Sequence, residues 1–143
     1  REAAIHKLIQ RCVSARKLRK LIKLHKIQHF TAPRKWLYRL RRSKKVKDLP
    51  YILIVEDMQL VDRASCSRAW RTKITKSHLQ ELYVLLNVGY GSTALVKNIP
   101  YTKSGKFSFI DLEFPPRYFD LLRVNPYLSI KMAGLWNEMI SPS

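Results

Sequence analysis

This 143-residue chain is poor in cysteine, with two, in glycine, with four, and in acidic residues, with ten against 28 lysines and arginines. Cys12 and Cys66 lie far apart and form no C-x-x-C pair, so the disulfide framework of a small secreted scaffold is excluded. The expectation is two free thiols in a reducing, intracellular compartment, with one disulfide as the alternative. No apolar run approaches the ~18–20 residues that a membrane-crossing helix needs. The opening Arg1-Glu2-Ala3-Ala4 is neither an initiator methionine nor a signal peptide, which suggests a truncated or processed chain. What is present is globular: 46% hydrophobic residues with 10% aromatics, enough for one domain with a single core.

Acid is scarce where base is dense. Residues 1–47 hold 17 of the 28 lysines and arginines against one carboxylate, Glu2, whereas residues 48–143 hold 11 against nine. One-signed charge on that scale predicts an acidic partner: nucleic acid, an acidic protein or an anionic membrane surface. The candidate polyanion contacts are Arg16, Lys17, Arg19, Lys20, Lys23 and Lys26, then Arg34, Lys35, Arg39, Arg41, Arg42, Lys44, Lys45 and Lys47. Each one that reaches a phosphate releases counterions, so binding of this kind weakens steeply with salt. Trp36 and Tyr38, set among these bases, are read as strand core residues, with base stacking or a membrane interface as the alternative.

Periodicity predicts an α+β domain. Residues 2–29 lack Gly and Pro and carry Ile5, Leu8, Ile9 and Cys12, then Leu18, Leu21 and Ile22, at helical spacing. One long helix, or two broken near residues 12–14, should run to Thr31-Ala32-Pro33. His25 and His29 would share a face of it, but without a third ligand they are read as solvated or interfacial rather than metal-binding. Residues 34–40 read as a short strand, residues 41–47 as a solvated loop and Tyr51–Val55 as a buried strand. Ser77 and Gln80 have capping-box spacing ahead of a helix over 77–87, which Asn87-Val88-Gly89 closes. A loop over 89–97, a turn at Lys103–Lys106 and a buried strand Phe107–Ile110 follow, and Pro115-Pro116 blocks continuation. Ser129 should cap a last helix bearing Ile130, Ala133, Trp136 and Ile140. Met132, Leu135, Trp136 and Met139 on that helix are read as core.

The order helix, strand, strand, helix, loop, Asn, hairpin, strand, Asp resembles the protein-kinase-like phosphotransferases, above all their aminoglycoside-phosphotransferase-like branch. In that family a helix leads into a catalytic loop patterned H-x-D-x-x-x-x-N. A hairpin then ends in a hydrophobic strand carrying a metal-binding Asp. Asn98 stands at the loop Asn, and Asp111 follows thirteen residues later in Ile110-Asp111-Leu112-Glu113. The resemblance implies a kinase C-lobe-like body over 48–143, preceded by the basic segment 1–47. It makes Tyr51–Val55 with Glu56 the strand entering the hinge, and residues 2–29 the helix packed on the nucleotide lobe. It also implies vestigial Mg-nucleotide positions at Asn98 and Asp111, so that Mg-ATP is the cofactor to test.

The departures from the pattern decide the expected activity. Thr93 occupies the position of the catalytic Asp, and no acid lies between Glu81 and Asp111. A threonine hydroxyl is no general base near neutral pH. No glycine-rich phosphate loop or strand lysine precedes the helix. The expectation is a pseudokinase-like binding module, not an enzyme, whose basic third docks on an acidic partner. The alternatives are a nucleic-acid-binding or ribosome-associated basic protein and a fragment of an active small-molecule kinase. Ser92, His78 and Asp111 list the ingredients of a hydrolase triad without the G-x-S-x-G turn that would assemble one.

Overall fold

The computed structural model describes residues 2–40, 51–112 and 117–142. Helix α1 (Glu2–Leu24) is followed by strands β1 (Phe30–Thr31), β2 (Lys35–Arg39) and β3 (Tyr51–Val55). Helices α2 (Arg63–Thr72), α3 (Lys76–Val88) and the single turn α4 (Leu95–Asn98) come next. Strand β4 (Phe107–Ser108), a 3-10 segment (Leu121–Tyr127) and helix α5 (Ile130–Ile140) complete the fold. Mixed helix and strand is therefore observed, with two small sheets of two strands each.

α1 is one helix, unbroken at residues 12–14, but it stops at Leu24 instead of continuing to Pro33. Lys26 adopts φ 52° and reverses the chain. The turn is held from a distance: Glu81 of α3 accepts the backbone N–H of Gln28 at 2.9 Å and of His29 at 2.8 Å. His25 and His29 consequently do not share a helix face. His29 instead stacks on His78 with ring centroids 3.7 Å apart.

The core forms where β1 meets β4. The two pair in parallel, Phe30 opposite Phe107 and Thr31 opposite Ser108. Phe30, Phe107, Phe109 and Trp70 are all essentially inaccessible and interlock, Trp70 against Phe107 at 4.4 Å and Phe30 edge-on to Phe109 at 5.7 Å. Trp70 also donates its indole N–H to the carbonyl of Ile99 at 3.0 Å, so its one polar atom is satisfied inside the core. On the other side of β4, an isolated bridge joins Tyr101 to Phe107, and Thr102 in turn bridges to Leu60. The expected turn at Lys103–Lys106 is present, closed by the Thr102 N–H on the Lys106 carbonyl.

β2 and β3 are antiparallel, with Trp36 opposite Ile54 and Tyr38 opposite Ile52. The expectation that β3 is buried is wrong, as is the reading of Trp36 and Tyr38 as core. Trp36 is 48% exposed and Tyr38 55%, with Ile52 and Ile54 near 40%. The reason is tertiary: α1 covers one face of this ribbon and no described element covers the other.

α3 begins at Lys76, one residue before the predicted start at Ser77. Thr75 is the N-cap, accepting the His78 N–H, and His78 rather than Gln80 completes the capping box. Gly89 in the left-handed region closes the helix as expected. The final helix starts at its cap, where Ser129 accepts the Met132 N–H. Trp136 is buried there, with Met132, Leu135 and Met139 packed around the core, whereas Ile130 is 95% exposed. Cys12 and Cys66 are free and buried. The basic loop 41–47 and Pro115-Pro116 lie outside the described residues.

Candidate functional site

Asn98 is the last residue of α4, a turn that begins after Ala94 donates to the Ser92 hydroxyl. Its own N–H closes the turn on Ala94, and its carbonyl accepts the N–H of Ile110 at 3.2 Å. That bond fixes the end of the loop against the segment just past β4, one residue before Asp111. Phe109 and Leu112 are buried, whereas Asp111 between them is exposed to solvent. Asn98 and Asp111 thereby line one cleft of about 380 Å³, together with Gly91, Ser92 and Thr93.

Gly91 shapes that cleft. Its φ is +89°, and a Cβ there would come 2.5 Å from the Phe109 ring. The loop can pass this close to the core only because the residue has no side chain. Across the cleft stand Arg117, Asp120 and Arg123. Arg117 reaches it because its N–H bonds the Gly89 carbonyl at 3.1 Å. Asp120 caps the 3-10 segment by accepting the Leu122 N–H. Sequence reasoning missed these three. The cap spacing of Asp120 was a readable signal for the helical turn, but nothing local shows that the chain returns beside residues 89–93.

Among the oxygen donors lining the cleft are the Asn98 side-chain carbonyl and the carboxylates of Asp111 and Asp120. Hard oxygens are the ligand type that magnesium takes alongside phosphate oxygens and waters. Among the described residues no group of three or more His, Cys, Asp and Glu could hold a metal by itself. His78 belongs to a different place. Its Nδ1 accepts from the Thr75 N–H at 3.1 Å, its ring stacks on His29, and it lines no part of the cleft. Burial foremost, and then the neighbouring His29, push its pKa down to about 4, with Glu81 opposing. The hydrolase combination of Ser92, His78 and Asp111 is therefore not assembled.

The cations divide into two sets. Arg16, Lys17, Lys20, Lys23 and Lys26 are exposed along α1 and the turn after it, and Arg34 and Arg39 flank the exposed aromatics of β2. Arg19 and Lys35 turn inward. Arg19 donates to the Ala32 carbonyl at 2.8 Å and lies 4.0 Å from Glu56, which also pairs with Arg34 at 3.5 Å. The Arg34 backbone N–H, chiefly, and then its guanidinium hold Glu56 below the usual carboxylate range, against a smaller effect of burial. Lys35 donates to the Ile110 carbonyl at 3.3 Å. Its burial lowers its pKa more than Asp111 raises it. Arg41, Arg42, Lys44, Lys45 and Lys47 lie outside the described residues.

No family model, curated protein or solved structure matches the chain. No described helix is long and apolar enough to cross a membrane.

Proposed function

We propose that the chain is a catalytically degenerate, kinase-like binding module that holds a Mg-nucleotide without transferring phosphate and uses its basic N-terminal face to dock on an acidic partner. The observation that carries this reading is the Asn98–Ile110 backbone bond, which gathers Asn98, Asp111 and Thr93 around one cleft. The sequence of elements supports it as well: a long helix, a short strand, an antiparallel strand pair, two helices, a turn ending in Asn98 and strand β4 three residues ahead of Asp111. A bound magnesium ion would bridge the phosphates and neutralise their charge. Asn98 and Asp111 would supply its protein oxygens. Thr93 stands at the catalytic-loop position where, in the family the chain resembles, a carboxylate takes the substrate proton, and a threonine hydroxyl does not do so near neutral pH.

The test is thermal melting with and without Mg-ATP, for the wild type and for Asp111→Ala. A ligand near 100 times its Kd stabilises by about 2.7 kcal/mol. The expected result is a clear rise in Tm that Asp111→Ala abolishes, with no phosphate transferred. Equal rises in both proteins contradict the reading, as does no rise in either. Transfer to a small molecule would point instead to an active small-molecule kinase.

A nucleic-acid-binding role is the second reading, favoured by one observation. Trp36 and Tyr38 are exposed between Arg34 and Arg39, a pairing suited to stacking on bases. It requires a Tm rise with short RNA that collapses at higher salt.

A further inference from the structure

Two cavities open between α1 and β2, of about 410 and 250 Å³, and both are lined by Cys12, Arg16, Lys35 and Trp36. Sharing those walls, they make one groove along a single helix face, since residues 9, 12, 13 and 16 fall at the i, i+3, i+4, i+7 spacing. Its two ends differ in chemistry. The larger end adds Ile9, Val13 and Leu37 and is apolar. The smaller adds Arg19 and Arg34 and is cationic. Among the described residues no carboxylate lines either cavity. Glu56 pairs with Arg34 and Arg19 and Asp111 acts on Lys35, whereas Arg16 has no ion-pair partner among the described residues.

Like charges gathered beside a partly buried lysine repel one another, and a bound anion relieves that repulsion. Guanidinium groups suit phosphate, whose oxygens they grip in pairs. At the junction of the two ends, Trp36 is 48% exposed and offers a flat apolar surface. A groove of these combined dimensions falls in the range of small-molecule sites.

We infer that the α1–β2 groove is a second binding site, for an organic phosphate whose apolar body lies along Ile9, Val13 and Trp36 while its phosphate meets Arg16 and Lys35. This goes beyond the proposed nucleotide cleft and does not depend on it, because no metal takes part and the residues lining the groove are not those lining the cleft. Two sources share the required chemistry: a nucleoside monophosphate, with its base on Trp36, and a single-chain lysophosphatidic acid, with its acyl chain in the apolar end.

Trp70 and Trp136 are inaccessible, so quenching of tryptophan emission by a soluble ligand reports Trp36. The experiment titrates the whole chain, in EDTA, with adenosine 5′-monophosphate and with monomeric lysophosphatidic acid, following fluorescence and heat. Inorganic phosphate, adenosine and monoacylglycerol are the controls. Saturable quenching by one of the two probes is expected, and the probe that binds names the source. Arg16→Gln, an exposed position whose native fold is checked by melting, should weaken it about tenfold or more, in line with the loss of one charged hydrogen-bonding partner. Trp36→Ala should weaken the calorimetric affinity.

Three results overturn the inference. One is the absence of binding by either probe in EDTA. Another is binding of inorganic phosphate as tight as that of the probes, which means the apolar end is not read. The last is affinity that survives both Arg16→Gln and Trp36→Ala, which places the ligand outside the groove.

Discussion

Gly91 makes the residue-scale case most sharply. Its +89° φ and the 2.5 Å approach of a would-be Cβ to the Phe109 ring mean that any side chain meets both backbone strain and a fully buried aromatic. Gly91→Ala should cost about 2 kcal/mol or more in stability, measured by chemical denaturation, and should loosen the loop bearing Ser92 and Thr93. A change within about 0.5 kcal/mol, the ordinary effect at a surface position, would show that the loop does not pass so close to the core. At this scale the sequence was informative about the cleft only in part. Asn98 and Asp111 were legible, because their spacing and the apolar run before Asp111 are local features. Arg117, Asp120 and Arg123 were not, because they reach the cleft only through the return of the chain past Gly89. The inward turn of Arg19 and Lys35 was equally hidden, since a lysine in a basic run carries no mark of the backbone carbonyl it will find 75 residues away.

Among elements, α3 carries the most tertiary information. Its N-terminal box, its contact with the turn after α1 and the His29–His78 stack all meet at one end of the helix. His78 sits there at about pKa 4, below its unfolded value of 6.5, so the unfolded chain binds more protons between those values. Stability contributed by neutral His78 is therefore present above about pH 6.5 and lost as the pH falls toward 4. His78→Gln keeps a capping-box side chain and removes the titration. Between about pH 7 and about pH 5 the wild type should lose about 1–2 kcal/mol more than His78→Gln, read from denaturation curves at each pH. Parallel pH profiles would show that His78 is as solvated folded as unfolded. Elements were legible where their signals are local: the β-branched and aromatic runs of β2 and β3, the Gly89 stop, the Ser129 cap. The end of α1 was not, because the turn that follows it is held by Glu81, more than fifty positions downstream. Helix α2 was missed although its signals are local, with Asp62 accepting the Ser65 N–H and Cys66, Ala69 and Trp70 forming the buried face.

For the whole molecule, the separation of charge and chemistry is the organising fact. The aromatic core under β1 and β4 holds the Asn98–Asp111 cleft at one place, while α1 and β2 present cations and exposed aromatics at another. The α+β class followed from the pattern; the bare face of the β2–β3 ribbon did not, because exposure depends on which elements arrive to cover a strand. The central claim is that a metal-bound nucleotide belongs at the cleft and not on the basic face. Nuclear magnetic resonance spectra of the chain with ATP, titrated with manganese(II) in place of magnesium, locate the ion through the resonances its unpaired electrons broaden. The account predicts broadening centred on the amides of Ser92, Thr93, Asn98 and Asp111, and its loss in Asp111→Ala. Broadening centred on α1 and β2, or none that depends on ATP, would contradict it.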